Sequence, residues 1–290
     1  MKQSRRSTLN KLCRVNRINI AKILVLTIGA VIFLFPLYWM FVTSLKTLPE
    51  IAAFPPIWWP DSPRWANYAE AWNYLPFSVL TKNTVIISAC VVVGSVLSAS
   101  FVGYGFAHYA FPGRDVLFFL LLSTMMIPNM VKLIPLFMIF RNLGWLNTFQ
   151  PLIVPSYFAT EPFYVFLMRQ FYRTIPNDMV EAARLDGCSE LGIWWHIMLP
   201  LAKPGLVAVA IFSFQRVWND FMNPLIYLNQ LERKTLALGL YSIVGQMGES
   251  VQLWHYAMAI AVIMVAPMII MFLVFQRYFV QGVVTTGIKG

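Results

Sequence analysis

Long runs of hydrophobic residues, separated by shorter polar stretches, dominate the chain. Six runs are long enough to cross a bilayer core of roughly 30 Å as helices of about 20 residues. They cover Ile23–Leu45, Asn83–Ala107, Val116–Phe140, Leu152–Phe171, Gly205–Leu225 and Tyr256–Val274. The pattern predicts an all-α integral membrane protein with six transmembrane helices and both termini on the same side.

Composition excludes a water-soluble protein. Hydrophobic residues make up 59% of the chain and charged residues only 12%, too few to cover a soluble surface. The three cysteines, Cys13, Cys90 and Cys188, are widely spaced, so they offer no disulfide framework and no Cys-x-x-Cys metal or redox site. We expect most of the chain to lie in lipid.

Basic residues set the expected orientation. The net charge is +10, but many cations crowd the N-terminus directly before the first hydrophobic run, which is typical of a cytoplasmic membrane flank rather than of a nucleic-acid-binding surface. A cleaved signal peptide is the alternative, but the run exceeds a signal peptide's apolar region of about 7–15 residues and lacks a convincing cleavage site. We therefore expect a retained first helix and cytoplasmic termini.

Three regions follow from this pattern. Residues 1–22 are expected to form a basic cytoplasmic segment, residues 23–275 the six-helix transmembrane domain, and residues 276–290 a cytoplasmic tail. The transmembrane domain contains one long cytoplasmic loop, residues 172–203, between the fourth and fifth spans.

This loop carries the signals of two short helices. Pro176 suits a first helical turn, and Gly187 can adopt the left-handed conformation that ends a helix at about Asp186. Ser189 is a plausible N-cap for a second helix, and hydrophobic residues follow it at helical spacing. That stripe comprises Leu191, Trp194, Trp195, Met198 and Leu199. Periodicity alone leaves open whether the stripe rests on the chain's own spans or inserts into a partner.

The same loop resembles a family signature. The sequence Glu181-Ala182-Ala183, three residues, Gly187, nine residues and then Ile197-Met198-Leu199-Pro200 is similar to the EAA motif of permease subunits in ABC importers. The resemblance extends over nearly the whole chain and is strongest to carbohydrate-importer permeases of the maltose-transporter type. It implies a type I importer (MetI-like) permease fold in the bacterial inner membrane.

The resemblance also implies partners. A second, heterologous permease would complete the translocation path, two ATPase subunits would bind ATP and Mg²⁺, and an extracytoplasmic binding protein would deliver a sugar or oligosaccharide, with its charge left open. Lys289 and Gly290 of the tail would also contact the ATPases. The residues implied to couple to the ATPases are Glu181, Ala182, Ala183, Asp186, Gly187, Leu191, Trp194, Trp195, Ile197, Leu199 and Pro200.

Motifs for chemistry within the chain itself are missing. The sequence has no Gly-x-x-x-x-Gly-Lys-[Ser/Thr] loop for nucleotide phosphates, no His-Glu-x-x-His and no metal-spaced His/Cys cluster. We therefore expect no cofactor, no metal and no catalytic residue in this chain. A membrane enzyme is disfavoured, and a self-sufficient secondary transporter or channel remains the alternative, although it would leave the EAA-like loop without a purpose.

Ionisable residues inside predicted spans have two readings. Lys132, Glu161, Arg216 and Asp220 are costly in lipid, so they either pair structurally or serve transport. In the structural reading Arg216 pairs with Asp220 four residues later, and Glu161 lies near the outer end of its span in reach of water. In the functional reading the cavity is lined by path candidates. These are Lys132, Arg216, Trp218, Asn219, Asp220, Tyr164 and Met125.

Overall fold

The computed structural model describes residues 2–246 and 253–287, and their side chains over residues 22–245 and 253–276. Helices account for the regular structure in these ranges, which contain no strand. The α-helices are α1 (Lys2–Ser44), α2 (Leu48–Ala52), α3 (Ala66–Tyr74), α4 (Phe77–His108), α5 (Arg114–Ser123), α6 (Asn129–Asn142), α7 (Gln150–Ile153), α8 (Pro162–Tyr172), α9 (Asn177–Leu185), α10 (Glu190–Ile193), α11 (Leu199–Leu201), α12 (Lys203–Trp218), α13 (Met222–Tyr227), α14 (Leu236–Gln246) and α15 (Trp254–Gly287). Short 3₁₀ helices cover Thr124–Met126, Val154–Phe158 and Leu231–Arg233, and a π-helix covers Trp194–Met198.

Three helices in the described ranges are long and apolar enough to cross a membrane unbroken. They are Lys22–Ser44 within α1, the whole of α4, and Trp254–Gln276 within α15. These helices contain nearly all of the first, second and sixth predicted runs. Because every backbone N–H and C=O in lipid needs an internal partner, an all-helical fold is the expected solution for such a sequence.

The third, fourth and fifth predicted runs are each interrupted and are not formed by one continuous helix. The third bends by 101° between Arg114–Met126 and Asn129–Asn142, and the fourth is broken between Val154–Phe158 and α8. Prolines explain both breaks. Ile127 precedes Pro128 and Glu161 precedes Pro162, and both preceding residues are extended, with ψ of 115° and 94°, because the proline ring disfavours the helical conformation before it.

The fifth run is shorter than predicted. Helix α12 ends at Trp218, and α13 begins only at Met222, so residues 219–221 interrupt the run. The same helix meets the preceding segment Glu190–Leu201 at an angle of 81°.

The described residues form two compact units. One comprises residues 2–71, 243–246 and 253–263, and the other comprises residues 72–242 and 264–287. In the first unit, the Lys46 ammonium is buried and lies 4.1 Å from the centroid of the Trp39 ring. The Asn67 side chain donates to the carbonyls of Ser44 and Lys46, each at 2.9 Å, and thereby holds the turn that follows α1.

In the second unit, α4 packs against α8 and α12. Close approach depends on small residues, as is usual where lipid supplies no hydrophobic force between helices. Ser98 donates from its hydroxyl to the Ser156 carbonyl at 2.7 Å, and a Cβ at Gly103 would lie only 2.8 Å from Met168 Cβ. The buried core of this unit comprises Ala99, Tyr104, Tyr164, Val165, Met168, Tyr172, Val180, Ala183, Ile193, Met198, Ala202 and Val209.

The packing at Gly103 leads to a prediction. Gly103→Ala should destabilise the protein by about 1–3 kcal/mol, because the added methyl group would press on the backbone and side chain of α8. Gly105→Ala is the matched control on the same helix: no atom packed against the helix lies within 4 Å of the new Cβ there, and alanine favours the helix. Thermal unfolding in detergent, followed by size-exclusion chromatography, should show a lower midpoint for the first variant only; equal midpoints would contradict this packing.

Candidate functional site

The turn after α9 is a Schellman motif centred on Gly187. The Cys188 N–H donates to the Ala183 carbonyl and the Gly187 N–H donates to the Arg184 carbonyl, both at 3.0 Å. Gly187 has φ of +81°, which residues with a Cβ rarely adopt. The predicted end of this helix at Asp186 is therefore confirmed, and its cause is the conformation of Gly187.

The second helix starts as the sequence predicts and then changes type. Ser189 is extended and its hydroxyl accepts a hydrogen bond from the Gly192 N–H at 3.2 Å, which confirms the predicted N-cap. Residues Trp194–Met198 then form a π-helix, in which the Leu199 N–H donates to the Trp194 carbonyl. This extra residue per turn rotates the following side chains relative to an α-helical register.

The predicted hydrophobic stripe is divided between a buried and an exposed side of the segment. Met198 is fully buried and Trp194 is half-buried, with its indole N–H donating to the Ser100 hydroxyl at 3.1 Å. Leu191 and Trp195 point outward and are 63% and 54% exposed. The stripe therefore rests only in part on the chain's own core, and its other part, Leu191 and Trp195, is exposed.

The remaining predicted coupling residues divide in the same way. Ala183 is buried, and Ile197 and Leu199 are half-buried against the chain itself. The exposed members are Glu181, Ala182, Asp186, Gly187 and Pro200. Leu185, which is absent from the predicted coupling residues, is 89% exposed beside the turn. We call the outward group Leu185, Leu191 and Trp195 the apolar knob.

Arg184 and Glu190 tie the two helices together across the turn. Arg184 donates from Nε to Glu190 Oε1 at 2.7 Å and from Nη2 to Oε2 at 3.3 Å. The Tyr109 hydroxyl, just beyond α4, donates to the same carboxylate at 2.5 Å. The pKa of Glu190 lies below its ordinary value, first because of Arg184 and then because of Tyr109, while burial and then the Glu190 carboxylate raise the pKa of Tyr109. The sequence analysis did not select these residues, although opposite charges flanking a glycine turn were a usable signal.

The path candidates do not form one cluster. Arg216 forms an ion pair with Glu161, whereas the predicted pairing with Asp220 is not the main one, because Asp220 accepts from the Asn223 side chain at 2.8 Å. Trp218 is buried and donates from its indole N–H to the Met264 carbonyl at 3.0 Å.

Burial separates the other candidates. Tyr164 is buried in the core, whereas Lys132, Met125 and Asn219 are exposed. Lys289 and Gly290 lie outside the described residues.

Comparison with known proteins decides the family. The family model described as binding-protein-dependent transport system inner membrane component matches residues 95–285, well over half of the chain. The chain belongs to this family. It is a multi-pass inner-membrane permease subunit of a binding-protein-dependent ABC importer, it is not itself catalytic, and it works in a complex with an ATPase and a binding protein.

Relatives of this permease cover most of its length. The arabinooligosaccharides transport system permease protein AraQ of Halalkalibacterium halodurans is 39% identical over 208 residues, which are 72% of this chain and 73% of that protein. The sn-glycerol-3-phosphate transport system permease protein UgpE of Yersinia enterocolitica is 29% identical over 89% of this chain and 93% of that protein.

A solved structure supports the fold. A chain from the crystal structure of a bacterial ABC transporter involved in the import of the acidic polysaccharide alginate superposes with a TM-score of 0.79 and 26% identity. The match covers 90% of this chain and 96% of that chain. The permease therefore has the fold of an ABC importer permease.

The Schellman turn gives a prediction for this permease. Gly187→Val should reduce the stability of segment 177–201 by about 1–2 kcal/mol, because a Cβ is strained at positive φ even though space around it is free. Gly187→Asn should retain most of the stability, because asparagine tolerates this conformation. Limited proteolysis of the segment reports the difference; equal cleavage rates for the two variants would argue against the strained turn.

The Arg184–Glu190 tie should respond to pH. Because the folded pKa of Glu190 is depressed, the pair contributes stability above the ordinary value of 4.5 and loses it as pH falls through the lower folded value. Since both partners are half-exposed, we expect less than about 1 kcal/mol, or up to about fivefold in hydrogen-exchange protection of residues 184–193. Glu190→Gln should remove this pH dependence. The prediction is refuted if the protection of the wild-type segment, corrected for intrinsic exchange rates, stays constant from about pH 6 to about pH 3.

Proposed function

We propose that the segment Asn177–Leu201 couples this permease to the ATPase subunits of the importer, with the apolar knob as the docking element. The observation that carries the proposal is the exposure of the knob on a segment whose other side is buried in the core. Its three large hydrophobic side chains are exposed, while Val180, Ala183, Ile193 and Met198 of the same segment are buried in the core.

An exposed apolar group of this kind fits a protein partner. Large hydrophobic and aromatic side chains that project from a fixed scaffold are typical binding anchors, and tryptophan is enriched among them. Glu181 is exposed on α9 and provides a carboxylate for a basic group on the partner. The fixed helix ends lower the entropy cost of docking, because the segment need not fold on binding.

The complete importer, in this proposal, contains a second and different permease, two ATPases that carry ATP and Mg²⁺, and an extracytoplasmic binding protein. Six crossings with cytoplasmic termini place the coupling segment on the ATPase side. Support comes from the basic N-terminal segment, residues 1–22, and from the family's binding-protein-dependent transport. Residues 23–275 form the transmembrane domain, and Lys289 and Gly290 of the tail, residues 276–290, approach the ATPases.

We further propose that the cargo is a sugar or oligosaccharide. Relatives whose names state the transport of arabinooligosaccharides and the import of alginate support this class. The exposed path candidates Lys132, Met125, Arg216 and Asn219 face the translocation cavity in this proposal. Tyr164, Trp218 and Asp220 then support that cavity from behind, since their polar groups are buried or already engaged.

Docking can be tested without perturbing the core. The double variant Leu191→Asp and Trp195→Asp should reduce recovery of the ATPase subunits with the permease at least about tenfold, because it places charge in an apolar joint. Substrate-stimulated ATP hydrolysis should fall with it. Leu143→Asp is the control, because Leu143 is also exposed but lies in the turn after α6.

One outcome of this experiment contradicts the proposed docking role of the knob. Membrane insertion of all variants is first checked by detergent extraction and monodisperse elution. If the double variant then retains both the ATPases and stimulated hydrolysis at the level of the Leu143→Asp control, the knob is not the coupling element.

A further inference from the structure

An ion pair lies at the break in the fourth span. Glu161 and Arg216 are bonded to each other, yet their side chains remain 34% and 48% exposed. Glu161 is the last non-helical residue before α8, and Arg216 belongs to the last turn of α12. The pair therefore joins two helix ends and leaves one side of both charged groups open.

The position of this break along the membrane follows from α4. That helix has 32 residues, or a length of about 48 Å, and its middle third contains Gly94 and Ser98. Ser98 is bonded to Ser156, five residues before Glu161, and Gly94 is in contact with the same serine. Because α4 is long enough to cross the membrane and these contacts fall in its central part, the unwound residues 159–161 lie within the depth of the membrane.

Unwound backbone and charged side chains at this depth cannot face lipid. Non-helical backbone at membrane depth is tolerated only where protein covers it or where it lines a water-filled cavity. Half-exposed ionised side chains at this depth carry the same requirement. Ala159 adds a strained backbone, with φ of +52°, which is typical of functional sites.

Hydroxyl groups lie beside Glu161. A crevice of about 10 Å³ beside it, large enough for about one water-sized group, is lined by residues of α4 and of the broken span. Its hydroxyl-bearing members are Ser95, Ser98, Ser156, Thr160 and Tyr164. Carboxylate oxygens accept hydrogen bonds, and guanidinium groups donate them. The open side of the pair can therefore bond to neighbouring sugar hydroxyls, which both donate and accept hydrogen bonds.

The charge balance of the cluster limits what it can bind. The Arg216 guanidinium interacts electrostatically with two carboxylates, Glu161 and Asp220. One positive and two negative charges leave no positive excess to attract an anion. A neutral polyol can bind without displacing either carboxylate, whereas a uronate or phosphate would be repelled.

Resting on the proposed function above, we propose that Glu161 and Arg216 form a subsite in the aqueous path for the hydroxyl groups of a neutral sugar, and that Glu161 is the residue that disfavours anionic cargo. This subsite lies in the permease itself and acts in addition to any selection by the binding protein.

The local charge can be measured at Thr160, which is exposed beside Glu161. Thr160→Cys is introduced with Cys13, Cys90 and Cys188 replaced by serine, and the permease is purified with its partner permease and ATPases. The reaction rates of anionic, cationic and neutral methanethiosulfonate reagents are compared with those of a free thiol. Relative to the free thiol, the cationic reagent should be favoured over the anionic one.

Variants then shift this preference in opposite directions. Glu161→Gln should raise the anionic-to-cationic rate ratio, and Arg216→Gln should lower it, each about five- to tenfold, as expected for one unit charge across roughly 7 Å of water. Leu143→Cys, on an exposed turn, should show no response to either substitution. A Thr160→Cys thiol that no reagent reaches, or a ratio unchanged in Glu161→Gln, overturns the proposal.

Protection by sugars tests the ligand class. A neutral arabinose trimer should slow modification by the neutral reagent in the otherwise unaltered cysteine variant more than a uronate trimer of the same length does, and Glu161→Gln should remove most of this difference, because Arg216 and Asp220 then balance each other. Protection by neither trimer, or equal protection by both, overturns the subsite.

ATPase recovery and stimulated hydrolysis are measured on the same preparations. If both are normal while the thiol results fail, only this subsite is wrong. Missing ATPases would instead refute the coupling function.

Discussion

Close packing of α4 against α8 and α12 is the constraint on which the second unit depends. Lipid tails surround apolar side chains as favourably as a neighbouring helix does. Association of the helices therefore depends on close packing and on hydrogen bonds. Gly103 permits the fit with Met168, and Ser98 supplies a bond to the broken span. A bulky residue at Gly103 would separate α4 from α8, and the buried face of segment 177–201 would lose its support.

The same packing explains why that segment projects as a rigid body. Ser100 of α4 accepts from the Trp194 indole and bonds to the Tyr172 hydroxyl at 2.5 Å, so one serine links three parts of the chain. Such networks are strong when every member is satisfied, as here. The outward residues of the segment are thereby held at fixed positions relative to the spans of the same unit.

Sequence reasoning succeeded where structure is set locally. The positions of Gly187 and Ser189 were sufficient to predict the helix end and the helix start, because both depend on backbone conformation and on bonds between near neighbours. The division of the hydrophobic stripe was not predictable, since Trp194 lies on the inner side with a bond to Ser100, which is 94 residues away in the sequence. Arg216 shows the same limit: Asp220 is its neighbour in sequence, but Glu161 is its partner in space. The break at Glu161 could have been found, because Pro162 follows it directly.

The hydrogen bond between Tyr109 and Glu190 connects the coupling segment to the end of α4. Tyr109 follows directly on the helix end at His108, and Glu190 begins the helix that carries Leu191. Displacement of that helix therefore acts on one end of a rod about 48 Å long. Because α4 is one continuous helix, such a displacement is passed along the whole rod to its other end instead of being absorbed at a break.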